Sequence, residues 1–177
     1  MKKLSTVKLL ALDVDGVLTD GTIYIGTQGE LCKGFNAKDG MGISCALRNG
    51  LNVAIITGRT SEIIRQRAKE LGITQVLEGV HDKRSVLLKL TAELGLQPEE
   101  VAYIGDDLND LPAFSVAAAA FAPADAADEV CDAADIILAH AGGRGAVREA
   151  IEMILQAQDK WQAIVAAYLS CGQGDKQ

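Results

Sequence analysis

Leu9-Leu10-Ala11-Leu12-Asp13-Val14-Asp15-Gly16-Val17-Leu18-Thr19-Asp20-Gly21 governs the reading of the whole chain. An apolar run from Val7 to Leu12 ends in two carboxylates and a glycine. A short continuous apolar run closed by a turn signal is the pattern of a strand buried on both faces. Open α/β sheets bind their ligands at the carboxyl ends of such strands, which is where these acids fall. Side chains two apart in a strand point to opposite faces. Asp13 and Asp15 therefore serve one site only if the strand is ending, and Gly16 permits that turn. Two carboxylates this close repel unless a proton or a cation separates them. An all-oxygen set suits a hard divalent cation, Mg2+ first. Asp and Gly are also ordinary turn residues, so a plain acidic turn is the alternative at this stretch.

The 177 residues suit a single domain, 1–177, with a full core, and the 49% apolar content argues against disorder. A net charge of −7 argues against a nucleic-acid or anionic-membrane surface. Cys32, Cys45, Cys131 and Cys171 form no CxxC pair and read as free thiols of a cytoplasmic protein. The opening residues meet Asp13 too soon for a signal-peptide core, and the apolar stretch Ala113–Ala124 is too short to span a bilayer.

Along the chain, Val7–Val14 reads as the first strand. Thr22–Phe35 reads as a hairpin around Gly26-Thr27-Gln28-Gly29, placed to hang over the site as a flap. A helix is expected over Met41–Asn49, stopped by Gly50, then a strand over Leu51–Ile56. Ser61 is a plausible N-cap for a helix ending at Leu71. Thr74–Leu77 reads as a strand, Lys83–Leu94 as a helix and Val101–Ile104 as a buried strand ending in Gly105-Asp106-Asp107. Further strands are expected at Ala117–Phe121 and Asp135–Leu138, with a short helix at Ala124–Cys131 between them. One long helix is expected from Ala146 to near Tyr168, then a mobile tail over 170–177. Alternating strands and helices imply an α/β fold with a doubly wound parallel sheet.

Four polar clusters then fall at or near one sheet edge: Asp13/Asp15, Thr57, Lys83 and Asp106/Asp107. Alone, Thr57 is an ordinary helix-start hydroxyl and Lys83 an ordinary solvated lysine. A lysine at a helix start opposes the helix dipole, however, which favours a functional reason. Their joint order is harder to explain as turns. Asp13-x-Asp15-Gly16-x-x-Thr19-Asp20, Thr57, Lys83 and Gly105-Asp106-Asp107-x-x-Asp110 resemble the four motifs of the haloacid-dehalogenase-type phosphatases. The resemblance implies a Rossmann-like sheet. It implies Asp13 as the nucleophile that becomes an aspartyl phosphate and Asp15 as the acid/base. Thr57 and Lys83 would hold the phosphoryl oxygens, and Asp13, the Asp15 backbone carbonyl and Asp106 would hold Mg2+. Asp20, Asp107 and Asp110 fall to supporting roles, orienting Lys83, metal waters or loops. The chemistry asks for these types independently: phosphoryl transfer needs positioning and charge neutralisation, and a carboxylate nucleophile needs cations to offset its repulsion of phosphate.

Neither the gap from Asp20 to Thr57 nor that from Thr57 to Lys83 can hold a cap domain. The site then needs another cover, such as a neighbouring subunit assembled through the 22–35 hairpin. Phe35-Asn36-Ala37-Lys38-Asp39-Gly40-Met41-Gly42, Ile56-Thr57-Gly58-Arg59 and Gly142-Gly143-Arg144-Gly145-Ala146-Val147-Arg148-Glu149 narrow the likeness. With the acidic motifs they are similar to the 3-deoxy-D-manno-octulosonate 8-phosphate phosphatases, a tetrameric family of lipopolysaccharide biosynthesis. That resemblance implies a phosphorylated sugar acid as substrate, bound at Asn36, Ala37, Lys38, Asp39, Gly40, Ser44, Arg59, Arg67 and Lys83. Arg59 or Arg67 suits bidentate pairing with the substrate carboxylate, while Arg144 and Arg148 are weaker candidates. Two other readings stand beside this one: a phosphatase of a nine-carbon 2-keto-3-deoxy sugar acid phosphate, and a phospho-receiver module signalling through Asp13. Against the receiver stands Asp15, an acid/base that would shorten the lifetime of the phosphoryl group.

Overall fold

The computed structural model describes residues 4–171, with the side chain of Cys171 left out. Strand β1 (Leu9–Leu12) is buried at every position, as its apolar run requires. A hairpin follows, β2 (Tyr24–Gly26) with β3 (Gly29–Cys32), then α1 (Ala37–Arg48), β4 (Asn52–Ile56), α2 (Glu62–Leu71) and β5 (Gln75–Leu77). The second half runs α3 (Lys83–Glu93), β6 (Val101–Ile104), α4 (Leu111–Phe114), β7 (Ala119–Ala122), α5 (Asp128–Ala133), β8 (Ile136–Ile137), α6 (Ala146–Ala157) and α7 (Trp161–Cys171).

Six strands form a parallel sheet in the order β5-β4-β1-β6-β7-β8, and the hairpin stands apart as its own two-stranded sheet. The sheet separates two apolar clusters. Leu10, Leu12, Val53, Ile55 and Ile104 face Ile43, Ile64, Ile151, Ile154 and Trp161 from α1, α2, α6 and α7. Leu9, Ala11, Ile56 and Tyr103 face Leu87, Leu90, Phe114 and Val130 from α3, α4 and α5. The chain leaves β1 toward β4 on one side and places β6 on the other, so the order reverses at β1/β6. That switch point opens a crevice at the carboxyl ends of both strands, where Asp13 and Asp106 follow. Only the hairpin and α1 separate β1 from β4, and only α2 and β5 separate β4 from α3. The fold therefore carries no cap domain.

Four expectations change, the simplest being that the short helix expected over Ala124–Cys131 runs over Asp128–Ala133. The first helix begins at Ala37 rather than Met41, because the Asn36 side chain accepts the Lys38 N–H at 2.8 Å and caps it. The expected long C-terminal helix is two helices. The chain breaks at Gln158–Lys160, where Asp159 takes φ 56°, the only positive φ among the described non-glycine residues. Gln158 Nε2 donates to the Val7 carbonyl and Lys160 Nζ to the Asn49 carbonyl, tying the break to the foot of the sheet. Ser170 and Cys171 belong to α7 rather than to a tail; the remainder of the expected tail, 172–177, lies outside the described residues. Among the described residues no helix is long and apolar enough to cross a membrane, and Cys32, Cys45 and Cys131 are free.

Candidate active site

β1 stops at Leu12, and Asp13 N–H donates to the Ile104 carbonyl at 3.1 Å, which keeps the first acid beside β6. The chain then turns at Gly16, φ 86°. A Cβ there would come within 1.9 Å of Asp106 Oδ2, so only glycine lets the turn lie against that carboxylate. The turn is braced from behind. Gly143 N–H donates to the Val17 carbonyl at 2.9 Å, and a Cβ on Gly142 would meet the Gly16 carbonyl oxygen at 1.9 Å. The Gly142-Gly143 pair is thus a packing requirement of the first acidic loop.

Lys83, the first residue of α3, is only 1% exposed. Its ammonium lies 2.9 Å from Asp13 Oδ2 and 2.6 Å from Asp110 Oδ1. Burial works against that ammonium, but the charges of Asp13 and Asp110 outweigh it and hold Lys83 above its ordinary value. Asp110 is fully buried and saturated. Oδ1 also accepts from the Tyr103 hydroxyl at 2.8 Å, and Oδ2 accepts the Asp106 and Asp107 N–H groups at 3.1 and 3.4 Å. It braces the last acidic loop and orients Lys83. Burial and the charge of Asp110 hold the Tyr103 phenol far above its ordinary value, so it stays a donor.

The acids at the crevice floor are unbalanced. Burial, then the charge of Asp110, pushes Asp13 up to about 6 against the opposing pull of Lys83. Burial and the charges of Asp110, Asp13 and Asp107 push Asp106 up to about 7. Asp13 Oδ1 and Asp106 Oδ1 are buried without a hydrogen-bond partner. Oxygen atoms of Asp13, Asp106 and Asp110 lie within 4.8 Å of one another. Unpartnered buried carboxylate oxygens are costly, and an all-oxygen donor set of this kind fits a hard divalent cation. Since Asp110 is saturated, Asp13 and Asp106 carry the free donor atoms.

A cleft of about 260 Å³ opens above this floor, lined among others by Asp13, Asp15, Thr57, Arg59, Asp106 and Asn109. Thr57 is buried, and its hydroxyl accepts the Arg59 N–H at 3.3 Å, leaving its own proton to donate. The Asp107 side chain caps the turn of Leu108, and Asp20 accepts the Thr22 N–H and lies 3.4 Å from Arg144 Nη2. The hairpin does lie over the site: Ile23 joins the cleft wall, and Lys33 pairs with Asp15. Lys33, Tyr103 and Asn109 join the site beyond the residues expected there. Lys33 carries no local signal, since a lysine beside a glycine on a hairpin reads as solvated.

Several expected substrate residues stand elsewhere. Asn36 caps α1 and donates to the Gly143 carbonyl at 3.3 Å. Asp39 is buried, and its carboxylate accepts the Gly145 and Arg148 N–H groups at 3.2 and 2.8 Å. That carboxylate is committed to the start of α6. Lys38 is exposed, Gly40 is buried beneath Arg67, and Ser44 is half-buried on α1. Ala37 and Arg67 line a separate cleft of about 430 Å³ with Lys33 and Phe35, where the Arg67 guanidinium sits 5.7 Å over the Phe35 ring. Within one chain, then, Arg59 and Lys83 are the expected substrate residues gathered at the acidic floor.

The family model for haloacid dehalogenase-like hydrolases matches residues 42–118. Over 160 residues the chain is 46% identical to the 3-deoxy-D-manno-octulosonate 8-phosphate phosphatase of Yersinia pestis, covering 90% of this chain and 86% of that protein. The chain belongs to the 3-deoxy-D-manno-octulosonate 8-phosphate phosphatase family. The crystal structure of the Yersinia pestis phosphatase superposes on this member of the family with a TM-score of 0.89, covering 91% of this chain and 87% of that one. The phosphatase from Moraxella catarrhalis, solved in complex with magnesium ion, phosphate ion and KDO (the free sugar acid), is 41% identical. It superposes with a TM-score of 0.92 over 94% of this chain and 96% of that one.

Proposed function

We propose that this phosphatase hydrolyses 3-deoxy-D-manno-octulosonate 8-phosphate to the free sugar acid and inorganic phosphate through an aspartyl phosphate on Asp13. The Asp13 carboxylate sits at the cleft floor with one oxygen on the Lys83 ammonium and the other buried without a partner. A carboxylate so placed has cationic help against phosphate and a free oxygen. Its carboxylate attacks phosphorus while Asp15 gives a proton to the departing sugar oxygen. Asp15 then takes a proton from the water that attacks the aspartyl phosphate, and Asp13 is regenerated as phosphate leaves. Thr57 and Lys83 hold the phosphoryl oxygens through both displacements.

Asp13, Asp106 and the backbone carbonyl of Asp15 would hold Mg2+. Bound there, Mg2+ neutralises phosphoryl charge next to the nucleophile. Arg59, which lines the cleft, would pair with the substrate carboxylate. The cleft has no cap, and the hairpin exposes Ile23, Tyr24, Ile25 and Leu31, an apolar set suited to burial against other copies. We therefore read the active form as a homotetramer whose subunit interfaces close the sites. Ala37 and Arg67 meet substrate only across such an interface. The free thiols and the sugar-acid substrate suit a cytoplasmic step of lipopolysaccharide biosynthesis.

Phosphate release in Mg2+ from 3-deoxy-D-manno-octulosonate 8-phosphate, the nine-carbon analogue and simple sugar phosphates tests the substrate. A strong preference for the eight-carbon ester is expected. Preference for the nine-carbon ester would reassign the substrate, and stable phosphoprotein without turnover would favour the receiver.

A further inference from the structure

Lys33 follows β3 on a largely exposed hairpin, between exposed Cys32 and Gly34, yet its side chain is 1% exposed. Lysines are almost never buried without a partner, and two carboxylates account for this one. Its ammonium contacts Asp15 Oδ1 and lies 3.1 Å from Glu30 Oε1. Glu30 in turn accepts the hydroxyl of Ser61, the N-cap of α2 just beyond Thr57. Arg59 closes the ring, with Nε 3.7 Å from Asp15 Oδ2 and Nη2 4.0 Å from Glu30 Oε1. Two cations and two anions thus fasten the hairpin to both loops that carry the reactive groups. The charged contacts that fix the Asp15 carboxylate come from outside its own loop: Lys33 on one oxygen, Arg59 beside the other.

We propose that Lys33 is a positioning residue for the acid/base, pinning Oδ1 of Asp15 so that Oδ2 handles the proton. The proposal rests on the reading of Asp15 above. In the first displacement an Asp13 carboxylate oxygen bonds to phosphorus, the ester P–O bond breaks, its electron pair goes to the sugar oxygen, and that oxygen takes the proton from Oδ2. In the second, water oxygen bonds to phosphorus, the bond to Asp13 breaks, and the proton from water returns to Oδ2. A carboxylate free to rotate would present either oxygen, or neither, to the leaving group. Proton transfer of this kind contributes about 10²–10⁴ in rate and depends on hydrogen-bond geometry.

A series of aryl phosphates with phenols of rising pKa, from 4-nitrophenol to phenol, isolates this effect. Good leaving groups depart without a proton, poor ones do not, and none carries a sugar acid to recognise. Within one preparation the ratio of kcat/KM values is independent of the fraction folded, so a poorly folding variant remains readable. For Lys33→Met we expect the ratio of phenyl to 4-nitrophenyl phosphate to fall about tenfold, a modest part of the full acid effect. Lys33→Arg, which keeps the cation, should recover part of that loss. An unchanged ratio in Lys33→Met, with both substrates equally slowed, would reduce Lys33 to a docking contact and overturn the proposal. Asp15→Asn in the same series separates the two claims. A reduced ratio there with a normal one in Lys33→Met rejects only the role of Lys33. A normal ratio in Asp15→Asn rejects the acid/base reading and the proposal with it.

Discussion

Replacing Lys83 by Met removes the only cation that touches both Asp13 and Asp110 among the described residues. Methionine fills a similar volume, so the change is chiefly electrostatic. Two charge-assisted hydrogen bonds are lost, at 2.9 and 2.6 Å, each worth about 1.5–3 kcal/mol. Their partners stay behind in a buried site. Asp110 keeps Tyr103 and two backbone donors, which softens the loss, whereas Asp13 keeps no cation. Together these give about 3–5 kcal/mol, the usual cost of breaking a buried pair from one side. For a chain of this length that corresponds to a Tm lower by roughly 6–20 °C. The loss should be largest in EDTA at pH 8 and smaller at pH 5, where Asp13, already raised to about 6, takes up a proton instead. Urea unfolding at the two pH values, with and without Mg2+, measures it. A loss under about 1 kcal/mol, or one indifferent to pH, would mean that Lys83 is solvated and the buried ion triad is wrong.

Asp13→Asn should abolish turnover while leaving the metal-free Tm within about 2–4 °C of the parent, since the lost charge was disfavoured by burial; thermal melts beside phosphate release check both halves. Asp39→Ala frees the Gly145 and Arg148 N–H groups and should cost about 1–3 kcal/mol in urea unfolding with KM little changed. A large rise in KM with stability intact would return Asp39 to the substrate. The stabilisation by Mg2+ should grow with pH. Asp13 and Asp106, ordinarily near 3.8, are raised to about 6 and 7 in the fold, so they favour the metal-free fold at low pH and lose that contribution as pH rises through those values. A cation that displaces those protons therefore gains most above pH 7. Melting curves from pH 5.5 to 8 read this directly, and a shift that shrinks with pH would contradict it.

The acidic floor was legible because its chemistry is local. An apolar run ending in Asp-x-Asp-Gly announces a strand end, and the second apolar run ending in Gly-Asp-Asp announces its neighbour. The sheet and helix order followed from the same periodicity. What the sequence hid is long-range. Asn36 and Asp39 sit beside a glycine-rich loop pattern, but their side chains serve the start of α1 and the turn before α6. The hydrophobic periodicity of Ala146 to Tyr168 runs straight through a break that only Asp159 and the ties to Val7 and Asn49 reveal. Lys33 is a buried lysine because Asp15, eighteen residues earlier, and the neighbouring Glu30 draw it in. Gly142 and Gly143 carry packing demands set by a loop more than a hundred residues away.

Phosphate passing through Asp13 requires a covalent aspartyl phosphate that can be trapped. Asp15→Asn should slow attack of water on the intermediate, so the variant mixed with Mg2+ and 4-nitrophenyl phosphate, whose leaving group departs without a proton, and quenched in acid should carry one phosphoryl group, located by peptide mass spectrometry on Asp13. Release of phosphate by this variant at the parent rate, or label on any other residue, would contradict it.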